Sequence, residues 1–273
     1  MKKYLFYDNL VRGAGIGHTL ACYNFGLQES MAQKLIYLPL QMIAGHGLGN
    51  TGLMENLLGL PECALCRSNL QTLEPEAIQK IELSSDAPPT SADFSSTEKY
   101  FLDHYKYKRI SAPSHLNKKK TNITISIRRG DIVRDAAHQF KDRLLPDSYY
   151  VAALEYAIDL YNLRDFHITI YSDADWKKGY VNEKGEAASV DELFKKFKGT
   201  FAYIPGNSRN SPLNTLSTFQ DCVDSEIFIG SISGFCQAIS LYQRNGKLIL
   251  PSHYKLPTYS SRKDQLHIFK FHK

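Results

Sequence analysis

The sequence predicts an α/β fold with two Rossmann-type domains joined near residue 115. In the second half, apolar strand-like runs alternate with amphipathic helix-like runs across short joints, which is typical of a parallel sheet covered on both faces. The first half opens on a strand-like run, a glycine-rich loop and a helical pattern. Between the halves, "SAPSHLNKKK" has the composition of a solvated linker. We predict an N-terminal domain over 1–115 and a C-terminal domain over 116–273.

The apolar periodicity of the first half predicts a small number of elements. "KYLFYD" and "KLIYLPL" are predicted strands, and the stretch from about Leu20 to Lys34 is a predicted amphipathic helix. "LMENLLGL" and "EKYFLDHYKYKRI" have helical spacing. Residues 84–97 are rich in Ser, Pro and Asp, which predicts an exposed loop.

The second half is more regular. Its predicted strands are "NITISI", "FHITIYS", "TFAYI", "EIFIG" and "GKLILP", and its predicted helices are "PDSYYVAALEYAIDLYNL", "VDELFKKF", "LNTLSTFQDCVD" and "GFCQAISLYQR". Asp147 or Ser148 is the expected N-cap of the first of these helices. Ligands of such folds bind at the carboxyl ends of the strands, so functional residues are expected there.

Composition excludes several classes of protein. The chain has 273 residues, 43% of them hydrophobic and 22% charged, with a formal net charge of +5. It lacks the run of ~20 apolar residues that a membrane span needs, and its start is too polar for a signal peptide, so we expect a cytoplasmic protein. The five cysteines are odd in number and scattered, and the single CxxC at Cys63 and Cys66 has neither zinc nor redox context, which favours ordinary thiols.

The loop "RGAGIGHTL" follows the first predicted strand. Glycines allow close backbone approach to a ligand, and a helix start favours an anion. The loop departs from the dinucleotide pattern G-x-G-x-x-G, because Gly13 and Gly15 fit but the third position is His18. Two interpretations of this loop stay open: a tight turn that binds no ligand, and a site at which His18 contacts a phosphate.

The sequence "ITISIRRGDIVRD" places Arg128 and Arg129 at the end of a predicted buried strand. Adjacent side chains of a strand point to opposite faces, so one guanidinium can reach a ligand while the other pairs with a carboxylate, and Asp131 is close by. Arginine grips phosphate or carboxylate with a planar fork. Two buried ion pairs without a ligand are the alternative.

Four motifs in order resemble the superfamily of α1,2-, α1,6- and protein O-fucosyltransferases. "SIRRGDIV" is similar to its signature H-x-R-R-x-D, and "RGAGIGHTL" to its early glycine-rich segment. "ITIYSDADW" resembles the second signature and "DSEIFIGSISGFCQAISLY" the third. The likeness covers about the last 150 residues and, more loosely, the first 40. It implies a GT-B-like architecture of two Rossmann-type domains facing across a cleft.

The resemblance also implies residue roles. Arg128 would hold the pyrophosphate of GDP-fucose, Arg129 would support the site, and Asp173 would orient both arginines. Gly15 and Gly17 would form the facing wall of the cleft. The positions implied to hold the nucleotide sugar are Gly15, Gly17, His18, Arg128, Arg129, Asp131, Asp173, Ser231 and Ser233.

Two departures concern the base of the donor. The histidine that precedes the arginines in the family is Ser126 here, and a guanine-binding aspartate of the α1,6-enzymes falls near Thr218. Guanine donors call for a carboxylate. Asp221 and Asp224 are nearby candidates.

The resemblance implies an inverting fucosyltransferase that moves L-fucose from GDP-β-L-fucose to a hydroxyl of a glycan acceptor. Asp135 is the expected catalytic base and His138 the second candidate. Since Arg128 can neutralise the leaving diphosphate, we expect no metal and no cofactor besides the donor substrate. "SDAD" carries the letters D-x-D at Asp173 and Asp175, but the resemblance implies a supporting role for it.

Two alternatives stay open at this stage. One is a glycosyltransferase that uses another nucleotide sugar, given Ser126 and Thr218. The other is a non-catalytic protein that binds a nucleotide sugar or nucleic acid. The scattered lysines and the absence of an RNA-binding signature favour no nucleic-acid partner.

Overall fold

The structure is a computed structural model. It describes residues 4–6, 15–38, 58, 74–80, 93–104, 114–134, 141–173, 179–205, 212–243, 245–252 and 263–271. The chain divides into two compact units, residues 1–108 with 257–261 and residues 109–256 with 262–273. The division after residue 108 lies a few residues before the predicted boundary at 115. Residues 257–261, predicted in the C-terminal domain, belong to the first unit.

The first unit contains a parallel three-stranded sheet of order β2-β1-β3, formed by β1 (Tyr4–Phe6), β2 (Ile36–Leu38) and β3 (Ile78–Lys80). The long helix α1 (Ile16–Ala32) and the short helix α2 (Glu98–His104) belong to the same unit. Gly26 lets α1 lie against β2, because a Cβ there would be 2.4 Å from the ring of Tyr37. The buried side chain of Asn24 joins α1 to the turn before α2, since it donates to the carbonyl of Asp93 (2.8 Å) and accepts from Thr97.

The second unit is built on a parallel six-stranded sheet. Its strands are β4 (Thr121–Ile127), β5 (Phe166–Ser172), β6 (Thr200–Pro205), β7 (Ile227–Ile229), β8 (Lys247–Pro251) and β9 (Leu266–Phe269). Their spatial order is β6-β5-β4-β7-β8-β9. Counted from the first strand of this unit, that order is 3-2-1-4-5-6, the order of the dinucleotide-binding Rossmann fold. The predicted α/β class and Rossmann-type sheet are therefore confirmed. The facing of two domains across a cleft stays a prediction.

Among the described residues, five α-helices lie between these strands: α3 (Gly130–Arg134), α4 (Asp147–Leu160), α5 (Val190–Phe194), α6 (Pro212–Asp224) and α7 (Gly234–Tyr242). The core of the unit is apolar on both sides of the sheet. In β4, the buried isoleucines Ile123, Ile125 and Ile127 alternate with Thr124, which is also buried and lies 2.7 Å from the hydroxyl of Ser225. Burial of both faces is what a parallel sheet requires.

The strand order places a topological switch point between β4 and β7. After β4, the chain continues to β5, which lies on one side of the β4–β7 pair. After β7, it continues to β8, which lies on the other side. The two strands are neighbours, with Ile125 opposite Ile229. In open parallel sheets, ligands bind in the crevice outside such a point.

Several local predictions are wrong. Helix α1 begins at Ile16, inside the predicted glycine loop, and the N-cap of α4 is Pro146, whereas Asp147 is its first helical residue. Strands β3 and β9 were not predicted. In the predicted exposed loop, Phe94 and Thr97 are buried. Most of the predicted helix "LMENLLGL" and part of that loop lie outside the described residues.

Across the described ranges, no helix is long and apolar enough to cross a membrane.

The buried amide of Gln220, on α6, gives a stability prediction. Gln220 is 1% exposed, and both of its amide atoms are without a hydrogen-bond partner in the part of the chain that the structure describes. An unpaired buried polar group costs about 1–3 kcal/mol. We expect Gln220→Leu to raise the free energy of unfolding in urea by about 1–2 kcal/mol.

Gln243 provides the matched control for this variant. Its amide is also buried, but it donates to the carbonyl of Ser225 at 2.8 Å. Gln243→Leu should therefore lower the free energy of unfolding. A loss of stability in Gln220→Leu as large as that in Gln243→Leu would contradict the prediction.

Candidate active site

Arg129 is fully buried, and all five of its N–H donors are used within the protein. Its side chain has no exposed surface. Nε donates to the carbonyl of Val181 (3.2 Å), and Nη1 donates to the carbonyls of Arg128 (2.9 Å) and Leu145 (3.0 Å). Nη2 donates to the carboxylate of Asp147 and lies 3.4 Å from the hydroxyl of Tyr180. Arg129 therefore has no donor left for a ligand, and its contribution to the site is to position other groups.

The charge of Arg129 is balanced by its surroundings. Burial by itself lowers the pKa of Arg129, because it disfavours the charged form. The nearby side chains of Tyr150, Tyr180 and Asp147 raise this pKa by more, so it lies above its usual value. The guanidinium carbon lies 5.5 Å from the ring centre of Tyr150. Burial raises the pKa of Tyr180, whose protonated hydroxyl donates to Asp147. The group is thus a cation held by one carboxylate and two aromatic side chains.

Asp173 fixes the turn that carries both arginines. It follows β5 directly, and β5 pairs with β4 so that Ser172 is opposite Ile127. Its Oδ1 accepts from the backbone N–H of Arg129 (2.5 Å) and of Gly130 (2.9 Å), and its Oδ2 lies 3.2 Å from Nε of Arg128. One carboxylate therefore holds the start of α3 through two hydrogen bonds and forms an ion pair with the Arg128 guanidinium. The orienting role that the family resemblance implies for Asp173 stays a prediction.

Arg128 is the arginine that reaches solvent. Its side chain is 28% exposed, in contrast to the fully buried Arg129, which agrees with the expected alternation of the two side chains. Its ion pair with Asp173 positions it at the carboxyl end of β4. A guanidinium set in this way is pre-organised for an anion at the switch point, because less side-chain freedom is lost when the anion binds.

The loop after β7 lies at the same edge of the sheet. Ser233 is the N-cap of α7, and its hydroxyl accepts from the N–H of Cys236 at 3.1 Å. Ser231 is buried, and its N–H and hydroxyl both contact the Cys236 sulfur, at 3.3 and 3.4 Å. The two serines are therefore turned toward their own loop rather than presented to a ligand.

The remaining predicted positions fall into two groups. In the first unit, Gly15 is the N-cap of α1, and Gly17 and His18 lie in its first turn. Burial lowers the pKa of His18, and one of its ring nitrogens is 3.5 Å from the Cys22 sulfur. The side chain of Asp131, and Asp135, His138 and Asp175 as a whole, lie outside the described residues.

Asp221 is not available to bind a base. It is fully buried, and its carboxylate accepts from the hydroxyls of Ser114 (2.7 Å) and Tyr171 (2.7 Å) and from the N–H of His115 (2.8 Å). It anchors the segment that leads into β4. The suggestion that Asp221 replaces the guanine-binding carboxylate is therefore wrong.

Sequence reasoning missed the partner of Arg129. Asp131 was suggested, but the ion pair is made with Asp147, whose carboxylate was expected to cap a helix. Tyr180 and Val181 provide the remaining contacts of the Arg129 guanidinium, and they lie about fifty residues after Arg129 in the chain. No sequence signal links these positions, because each contact is made through the sheet topology.

Gly130 gives a prediction about this clamp. A Cβ at Gly130 would lie 2.8 Å from Oδ2 of Asp173 and 3.1 Å from its backbone oxygen, too close for either to stay in place. We expect Gly130→Ala to lower the free energy of unfolding by about 1–3 kcal/mol, because the Asp173 carboxylate must move away. The effect should be smaller in an Asp173→Ala background, since the closest clash is then absent. Strictly additive losses in urea denaturation would contradict this explanation.

No protein-family model matches the chain, and no curated protein sequence matches it. Among solved structures, it is similar to POFUT1 in complex with GDP-fucose, with 10% identity, a TM-score of 0.36, and coverage of 93% of this chain and 74% of that chain. It is also similar to E. coli heptosyltransferase WaaC with ADP, with 12% identity, a TM-score of 0.38, and coverage of 98% and 93%. The function proposed below rests on the chain's own residues.

Proposed function

We propose that the protein is an inverting glycosyltransferase that transfers L-fucose from GDP-β-L-fucose to a hydroxyl of a glycan acceptor. The observation that carries the proposal is Arg128, which is partly exposed and oriented by Asp173 at the switch point of a 3-2-1-4-5-6 sheet. The resemblance of "SIRRGDIV" and its companion motifs to fucosyltransferase signatures supplies the sugar and the nucleotide.

The reaction requires a positive group beside the leaving diphosphate. The acceptor oxygen forms a bond to the anomeric carbon of the sugar as the bond from that carbon to the diphosphate breaks, and GDP leaves with the electron pair. The acceptor proton passes to a base, for which Asp135 is the proposed residue and His138 the second candidate. Arg128 stabilises the negative charge that develops on the diphosphate, and preorganised donors of this kind are the largest contribution in many enzymes.

The start of α7 supplies further donors for the diphosphate. The backbone N–H groups of Gly234 and Phe235 have no hydrogen-bond partner among the described residues, and the first turn of α7 carries no acidic residue. Free N–H groups at the start of a helix favour an anion. This arrangement replaces the expected contacts from the hydroxyls of Ser231 and Ser233. Gly15, Gly17 and His18 remain proposed contacts on the first unit.

A binding panel tests the proposal. We expect GDP and GDP-fucose to raise the melting temperature of the protein, and GDP to be released when GDP-fucose and a glycan acceptor are supplied together. ADP and UDP should stabilise it less. Stabilisation by ADP or UDP alone would point to another nucleotide sugar, and stabilisation by RNA alone would contradict a glycosyltransferase. If the protein binds nucleotides but releases no nucleotide from any nucleotide sugar, it is a binding protein and not a transferase.

A further inference from the structure

Strand β9 (Leu266–Phe269) lies at one end of the six-stranded sheet, with β8 as its neighbour on one side. Across the described part of the chain, no strand pairs with its other side. The side chain of Ile268 on this strand is apolar, and the residue is 49% exposed. An open edge that carries exposed apolar side chains is a template for pairing with another chain.

The exposed apolar surface continues onto helix α4. Tyr156 and Leu160 are 37% and 44% exposed, and they lie one turn apart on this helix. The ring of Tyr156 lies 5.3 Å from the ring of Phe269 on β9, so the exposed part of α4 adjoins the edge strand. Apolar exposure in the second unit is therefore concentrated on β9 and on the turns of α4 beside it.

The backbone of β9 has a defined outward side. The carbonyl of Phe269 accepts from the N–H of Ser252, just after β8, at 3.2 Å, so the polar backbone groups of Phe269 point toward β8. Successive residues of a strand direct these groups to alternate sides. The N–H and C=O groups of Leu266 and Ile268 therefore point away from β8, toward the open edge.

Charged residues flank the strand in a self-complementary pattern. Asp264 lies three residues before His267, and Lys270 lies three residues after it, and both charged residues are exposed. The ion pairs of the described chain involve neither of them. When two copies of a strand pair about a two-fold axis, residues equally far from the axis in opposite directions face each other. With the axis at His267, Asp264 faces Lys270 of the partner subunit at both ends of the pair.

The same axis also satisfies the backbone. It places Leu266 opposite Ile268 of the partner subunit, and because both have outward N–H and C=O groups, each of these pairs exchanges two hydrogen bonds. His267 faces its own copy at the axis. Burial and the charge of Lys247 lower the pKa of His267, so the two imidazoles are neutral at neutral pH and do not repel each other. An axis at Ile268 would instead place Lys270 opposite Leu266 and leave the charges unmatched.

We propose that the protein is a homodimer in which two copies of β9 pair antiparallel about a two-fold axis at His267, joining the two six-stranded sheets edge to edge. The occupant of this edge is a second copy of the chain, because the charges and the outward backbone groups of β9 are complementary to themselves. This interface is independent of the proposed function, because β8 separates β9 from the switch point between β4 and β7.

Analytical ultracentrifugation of the full chain tests this pairing by charge exchange. The wild type should show a mass that rises with concentration to about twice the 31.0 kDa of one chain. Lys270→Glu sets two carboxylates opposite each other, and Asp264→Lys sets two ammonium groups opposite each other, so each should raise the dimer dissociation constant by about tenfold. The double variant Asp264→Lys/Lys270→Glu restores opposite charges and should return to within about threefold of the wild type.

Lys198→Glu is the matched control. Lys198 is also exposed and lies just before β6, the strand at the opposite end of the sheet order. The variant makes the same change in net charge as Lys270→Glu and should leave the dissociation constant within about twofold of the wild type. A monomer at every concentration would overturn the proposal and leave this edge to another kind of partner. Equal weakening by Lys198→Glu and Lys270→Glu, no weakening by either single variant at the interface, or no recovery in the double variant would also overturn it.

Ile268→Pro tests the contribution of the backbone. Proline removes the N–H of Ile268, which points away from β8, and proline is tolerated on edge strands. We expect this variant to weaken the dimer by about tenfold or more; if it does not fold, the charge variants decide. Amide hydrogen exchange gives a second measurement on the wild type. The N–H of Ile268 should exchange more slowly at concentrations at which the dimer forms than in dilute solution, and equal exchange rates would contradict pairing through β9.

Discussion

Replacement of Arg128 by alanine is expected to reduce GDP release from GDP-fucose by about 100- to 1000-fold, with little change in stability. The guanidinium is partly exposed and lies at the carboxyl end of β4, so its removal leaves no fully buried cavity. What is lost is the fixed positive charge beside the leaving diphosphate. Arg128→Lys should recover only part of the rate, because an ammonium lacks the planar fork.

Lys120 is a close control for this prediction. It precedes β4 at the opposite edge of the sheet, its side chain is 27% exposed, and it pairs with Asp165 at 3.0 Å, so it matches Arg128 in charge, exposure and type of partner. Lys120→Ala should leave GDP release within about twofold of the wild type, since an exposed ion pair contributes little. Equal losses in the two variants would show that net charge, rather than position, matters.

Replacement of Arg129 by alanine is expected to destabilise the second unit by about 3–5 kcal/mol. The variant leaves the carboxylate of Asp147 and the carbonyls of Val181 and Leu145 without the donors that now satisfy them. Because these partners come from two separate segments, around residues 145–147 and at Val181, their loss should also loosen the turn that carries Arg128. Urea denaturation measures the first effect, and the GDP dissociation constant of the folded fraction measures the second.

A surface ion pair supplies the comparison for Arg129. Lys196 lies 2.9 Å from Glu155, with both side chains about half exposed. Lys196→Ala should change the free energy of unfolding by less than about 1 kcal/mol. If Arg129→Ala lowers the free energy of unfolding no more than Lys196→Ala does, the buried contacts of Arg129 do not stabilise the second unit.

The sequence was sufficient to predict the elements whose pattern is continuous. The strand β4 and the helix α4 have long runs of apolar residues with the right period, and the arginines follow β4 where a ligand is expected. Asp173 is implied by the family resemblance, and it follows a strand that neighbours β4 in the sheet. The inferences about β4, α4 and the arginines need only local pattern and the rule that strand ends converge at one edge.

The sequence could not reveal contacts that depend on tertiary packing. Strands β3 and β9 are interrupted by polar residues, with the sequences IQK and LHIF, whereas the equally short strands β1, β2 and β7 are apolar throughout. Asp147 was expected to cap a helix because such residues commonly do, but the buried arginine beside it uses the carboxylate instead. The family resemblance implies a phosphate contact for Ser231, whereas its hydroxyl lies 3.4 Å from the sulfur of Cys236.

A crystal structure of the protein with GDP tests most directly whether the diphosphate is bound at the carboxyl ends of β4 and β7. We predict a phosphate oxygen about 3 Å from the guanidinium of Arg128, and another within hydrogen-bond distance of the N–H of Gly234 or Phe235. A nucleotide bound elsewhere, with Arg128 still paired only to groups of the protein, would contradict the account.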